Sequence, residues 1–102
     1  MKKFNVRVSK RKIIEFCKRN HIRSLSLFGS VLRNDFSPSS DIDVLVEFEP
    51  DYVPGFFALI EMEEELSSIF SGRKVDLRTP NDLSKYFRDE VLAEAEAVYV
   101  ES

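Results

Sequence analysis

The segment Ser24-Leu25-Ser26-Leu27-Phe28-Gly29-Ser30, followed after ten residues by Asp41-Ile42-Asp43-Val44-Leu45-Val46, decides how this chain folds. In the first piece leucines alternate with serines from Ile22 to Phe28, the period of a half-buried strand, and Gly29 ends it. In the second, Ile42, Val44 and Val46 point to one face and Asp41, Asp43, Leu45 and Glu47 to the other, because side chains alternate along an extended backbone. Pro50 stops this strand. Between the two, Ser30 to Arg33 makes a short turn or helix, and Asn34 to Ser40, rich in Asn, Asp, Ser and Pro, reads as a loop.

Upstream of this pair, Ser9 is a fitting N-cap for an amphipathic helix through Ile13, Ile14 and Cys17 that closes near Asn20 and His21. Downstream, Phe56, Leu59, Ile60, Leu66, Ile69 and Phe70 follow helical spacing over Pro54 to Phe70, with Glu61, Glu63, Glu64 and Glu65 largely opposite. Gly72 ends that helix. Arg73 to Arg78 then reads as a third strand, with Val75 and Leu77 inward and Lys74, Asp76 and Arg78 on the other face. Thr79-Pro80 offers an N-cap and a first-turn proline, so the remainder, through Leu83, Tyr86, Phe87, Val91, Leu92 and Ala95, is expected to be helical. The order implies one α/β domain over residues 1–102, a small mixed sheet flanked by helices.

The 102 residues suffice to bury roughly two-thirds of the unfolded surface without disulfides or metals. A hydrophobic fraction of 43% with 32% charged residues excludes a disordered chain. The single Cys17 sits in an apolar helical series, which predicts a buried thiol in a reducing compartment. Lys2 and Lys3 resemble the start of a signal peptide, but Arg7, Lys10, Arg11 and Lys12 leave no apolar run behind them, and no segment approaches a membrane span. The expected location is cytoplasmic. A net charge of -3 argues against direct nucleic-acid binding, which wants a basic face, but not against a nucleotide whose phosphates are managed by metal ions.

Asp41 and Asp43 share a strand face with Cα atoms about 6.6 Å apart, so both carboxylates can lean onto one ion. Mg²⁺ is the natural cation, since it prefers carboxylate, phosphate and water oxygens. Asp76 repeats the pattern on another strand. If those strands are neighbours, three carboxylates converge and suit a pair of metals about 3.5 to 4 Å apart. Gly29 and Ser30 sit where strand passes to helix, a place where backbone N–H groups and a hydroxyl can meet phosphate oxygens. Arg33 and Lys74 could neutralise the remaining charge. The other candidates have plainer readings: His21 as a helix-end residue, Glu63 to Glu65 as a solvated face, Phe56 and Phe57 as core, with Phe57 off the stripe and open to a partner, and Tyr52, Tyr86 and Tyr99 as packing or surface residues. Ser24 and Ser26 lack the histidine that a hydrolase nucleophile needs.

Ser26-Leu-Phe-Gly-Ser-Val-Leu-Arg33 with Ser40-Asp-Ile-Asp-Val-Leu-Val46 resembles the minimal nucleotidyltransferases of the DNA polymerase β superfamily, and more narrowly the MntA-type antitoxins encoded beside HEPN-domain toxins. The resemblance runs on through Gly72-Arg-Lys-Val-Asp-Leu77 and Tyr86-Phe-Arg-Asp-Glu-Val-Leu92. It implies a polymerase β-like fold, nucleotide contacts at Gly29, Ser30 and Arg33, and Asp41, Asp43 and Asp76 as catalytic metal ligands for two Mg²⁺. It further implies an antitoxin of a type VII-like pair that moves AMP from ATP to a tyrosine of its HEPN ribonuclease. Many relatives have Gly after the motif arginine where this chain has Asn34, and Ser37 and Ser39 stand in place of charged loop residues, which bears on loop contacts more than on metal chemistry. Two alternatives stand beside it: an antitoxin that masks the toxin by binding alone, and a nucleotidyltransferase acting on a small molecule.

Overall fold

The computed structural model describes residues 8–33, 37 and 39–101; Asn34 and most of the predicted loop around it, like the basic N-terminus, lie outside them. The first helix, α1 (Lys10–Arg19), begins where the Ser9 hydroxyl accepts the Lys12 N–H at 3.4 Å and ends as the Asn20 N–H returns to Phe16 O. Its buried stripe is Ile13, Phe16 and Cys17, whereas Ile14 is turned 100° away and is 37% exposed. Ile14 is therefore not part of the core series expected of it.

Strands β1 (Ile22–Phe28) and β2 (Ile42–Phe48) pair antiparallel, with Leu25 opposite Val46 and Phe28 opposite Asp43. Helix α2 (Phe56–Ile69) then crosses back so that β3 (Val75–Arg78) runs parallel to β2. The chain finishes with α3 (Lys85–Glu94) and β4 (Glu96–Val100), which pairs antiparallel with the other edge of β1. The sheet order is β3-β2-β1-β4. It is the small mixed sheet with helices that the alternation predicts, with two corrections at the tail.

The first is β4, because the helical pattern does not run on through Ala95. The second is the start of α3. Thr79-Pro80 opens only a 3₁₀ turn, Pro80–Asp82, in which Asp82 Oδ2 accepts the Thr79 N–H and hydroxyl, both at 3.1 Å. The helix proper starts later, with the Ser84 hydroxyl accepting from Tyr86 N at 3.3 Å. Two caps five residues apart explain why the sequence reads as one continuous helix.

One sheet face, carrying Leu25, Leu27, Ile42, Val44, Val46 and Val75, forms the core with α1 and with Met62, Leu66 and Phe70 of the α2 region. Phe56 and Phe57 at the start of α2 are 71% and 78% exposed, so they are not core as expected; Met62 and Leu66 take that place. Cys17 is fully buried, and burial pushes its thiol up to about 12. Phe16 is the largest side chain at the centre of this layer. Phe16→Ala should cost about 3–5 kcal/mol, read as a lower urea midpoint with an unchanged slope.

Candidate active site

The sheet face opposite the core carries the chemistry. Phe28 and Asp43 are opposite each other in the β1–β2 ladder, so Gly29, the next residue, bends away directly beside the Asp43 carboxylate. It does so at φ +74, a conformation that a side chain disfavours, and a Cβ built there would run into the carboxylate of Asp43, 3.2 Å from its Cγ. Gly29 is thus needed for two reasons beyond room for a ligand. Ser30 and Val31 continue into a 3₁₀ turn, Gly29–Leu32, whose N-cap residue Phe28 makes no side-chain cap bond. Arg33 closes the turn through its N–H to Ser30 O at 2.9 Å, and its charge reaches Asp43.

The parallel register sets Asp43 opposite Asp76, which places the second carboxylate on the neighbouring strand of the same face. Asp41 lies just before β2. Asp43 has its pKa raised, by burial first and then by the charges of Asp76 and Asp41, against which Arg78 and Arg33 act. The three carboxylates are therefore one electrostatic group, but not a closed cage. Asp76 is held in a two-pronged ion pair by Arg78, Nε to Oδ1 at 3.1 Å and Nη2 to Oδ2 at 3.3 Å, while Asp41 Oδ2 is 4.0 Å from Lys74 Nζ. Among the described residues no three acidic, His or Cys side chains stand as a ready-made metal cluster. This sharpens the expected convergence: two of the three carboxylates are turned to cationic neighbours on β3 or just before it. The donor set nonetheless fits Mg²⁺, which takes one or two carboxylates and completes its shell with phosphate and water oxygens. The mutual repulsion that raises Asp43 is what a divalent cation offsets.

The 3₁₀ turn and α3 build a wall over this face. Asp82, Leu83, Ser84, Phe87 and Val91 face Phe28, Asp43, Asp76 and Arg78 across a cavity of about 320 Å³. Sequence reasoning gave Arg78 a face but no role. Its only signal was position, two residues after Asp76 on one strand, which puts both on the same side.

The remaining candidates fall outside the site. His21 takes a positive φ of 57, stacks on Tyr52 with ring centres 4.5 Å apart, and places Nδ1 3.3 Å from Glu49 Oε1. The glutamate run is not simply solvated. Glu65 pairs with Arg19 of α1, and Glu63 Oε2 accepts the backbone N–H of Leu77 at 3.1 Å. Ser24 donates to Glu47 at 3.2 Å, and Tyr86 is exposed. Among the described residues no helix is long and apolar enough to cross a membrane.

A family model described as polymerase beta, nucleotidyltransferase, matches residues 11–102. A Thermococcus cleftensis protein named protein adenylyltransferase MntA is 36% identical over 86 residues, which cover 84% of this chain and 82% of that protein. A crystal structure of a toxin-antitoxin complex with AMP-PNP superposes with a TM-score of 0.73 at 23% identity, covering 93% of this chain and 76% of that one. A second, of a tri-AMPylated Shewanella oneidensis HEPN toxin with an MNT antitoxin, gives 0.63 at 24% identity over 89% and 69%. Both are likenesses of fold.

Proposed function

This chain belongs to the polymerase β nucleotidyltransferase family, and from that premise we propose that it is an antitoxin that transfers AMP from ATP to a tyrosine of a cognate HEPN-domain toxin. The observation that carries the reading is the Asp43–Asp76 register pair on an open sheet face, with Gly29 bent against Asp43 and a walled cavity beside it. The adenylyltransferase named among its relatives and the toxin-antitoxin complexes of the same fold supply the partner and the group transferred.

In this mechanism the tyrosyl oxygen attacks the α-phosphorus of ATP in line. The new O–P bond forms as the bond to the β-phosphate oxygen breaks, and pyrophosphate leaves. Positioning and charge neutralisation supply most of the acceleration. Gly29 lets the backbone approach the triphosphate, Ser30 donates from its hydroxyl, and Arg33 neutralises part of the phosphate charge. Asp76 accepts or orients the tyrosyl proton, and Arg78 holds that carboxylate in place beforehand. Two Mg²⁺ ions bound by Asp41, Asp43 and Asp76 would neutralise phosphate charge and lower the pKa of the attacking hydroxyl. Phe87 and Val91 of α3 line the cavity beside Asp43 and Asp76.

Mixing the full chain with its cognate HEPN-domain toxin, ATP and Mg²⁺ should add adenylyl mass to the toxin. Changing the modified tyrosine to Phe should remove it. Absence of any increment sinks the transfer reading. The exposed Val53, Phe56 and Phe57 favour a second reading, in which surface binding itself silences the toxin. A folded Asp41→Ala/Asp43→Ala chain that still protects cells, with no mass change on the partner, would select it.

A further inference from the structure

We infer that Glu63 is a positioning residue for the transfer reaction: through the backbone of β3 it keeps Asp76 in register with Asp43. β3 has four residues and, among the described residues, is an edge strand paired with β2. In the parallel ladder Ile42 N donates to Lys74 O at 2.9 Å, and Asp76 is opposite Asp43. Hydrogen-bonding groups alternate along a strand, so the Leu77 N–H, one residue beyond Asp76, is directed away from β2. That is the group to which Glu63 gives an acceptor oxygen at 3.1 Å.

The bond is built to hold. Glu63 directly follows Met62 and lies three residues before Leu66, the two α2 side chains buried in the core, so its backbone is fixed. Glu63 and Leu77 line a cavity of about 180 Å³ with Phe56, Leu59, Ile60, Thr79 and Asp82, and their bond is part-buried, a setting in which an N–H bonded to a carboxylate is stronger than one left to water. Arg78 cannot substitute for it. Both Arg78 and Asp76 ride on β3, so their ion pair fixes the carboxylate relative to its own strand, not the strand relative to β2. Glu63 does fix it, from a different element. The ladder to β2 and buried Val75 hold the inner side of this four-residue strand, and Glu63 adds a hold on its outer side; displacements of about 1 Å in a reacting constellation cost about 100-fold in rate.

The inference rests on the transfer reading, and the test separates the two. In the full chain with ATP, Mg²⁺ and the HEPN partner, Glu63→Ala should lower kcat about tenfold or more while the KM for ATP stays within about twofold. Glu63→Gln, which keeps an acceptor oxygen, should restore most of kcat. Amide exchange at Leu77 should be faster in Glu63→Ala and near wild type in Glu63→Gln, with the core amides of β1 unchanged in both. An unchanged kcat in Glu63→Ala overturns the inference, as does Glu63→Gln being equally impaired. If the wild-type chain transfers nothing, the transfer reading fails by itself. Mg²⁺ titration followed by the carboxylate NMR signals of Asp43 and Asp76 then decides: weaker binding in Glu63→Ala alone upholds the positioning role, and equal binding in all three chains overturns it.

Discussion

Asp43→Asn should abolish AMP transfer, by about 10³-fold or more, and leave the chain as stable as wild type or more so at neutral pH. Asparagine copies the shape that lies against Gly29 but removes the negative charge that, with those of Asp41 and Asp76, a divalent cation would offset. The stability sign follows from linkage. Asp43 has a folded-state pKa raised above its ordinary value, so the folded chain holds that proton more tightly than the unfolded chain. Ionising it therefore costs stability as pH rises through that range, and the cost is complete at neutral pH. Asn has no such cost. Urea midpoints of variant and wild type should thus differ most at neutral pH in favour of Asn, and converge as pH falls through and below about 4, where Asp43 becomes protonated in the unfolded state as well. A variant that is unfolded, or folded and fully active, would contradict the assignment of Asp43 to the reacting centre.

What the sequence made legible was local. The two-residue period of Ile42, Val44 and Val46 was enough to put Asp41 and Asp43 on the opposite face, because strand geometry leaves no other choice. The conformation of Gly29 was legible only in part. Its place at a strand end was visible, but the carboxylate of Asp43 pressed against it is a fact of strand pairing. Asp76 was readable as a third acid on a strand, and whether it met Asp43 depended on β3 lying beside β2, a pairing made across α2.

The misses share that cause. β4 pairs with β1, about seventy residues earlier, so nothing within Glu96-Ala-Val-Tyr-Val100 distinguishes it from a helix tail except its β-branched and aromatic content. The turn of Phe56 and Phe57 toward solvent is set by which α2 residues meet the sheet, and Met62 with Leu66 win that contact. Glu63 looked solvated because its partner is a backbone N–H fourteen residues away. Periodicity reports which side chains share a face, and the fold decides what each face meets.

Gly29→Ala should damage fold and site together, at about 2–4 kcal/mol of stability and about 100-fold in transfer. Two separable terms add here. The φ of +74 is strained for any residue with a Cβ, and the new methyl needs the space that the Asp43 carboxylate occupies. Since Phe28 is locked opposite Asp43 in the ladder, the turn cannot back away without breaking that pair, so the carboxylate must swing instead. A double-mutant cycle separates the terms. In an Asp43→Ala background the clash is gone and only the backbone strain remains, so Gly29→Ala should cost measurably less there, by about 1 kcal/mol or more. Equal costs in the two backgrounds would show that backbone strain alone requires glycine. A Gly29→Ala chain with wild-type stability would refute both terms. A smaller cost beside Asp43→Ala, together with lost transfer in Gly29→Ala alone, would tie the glycine to the position of the catalytic carboxylate.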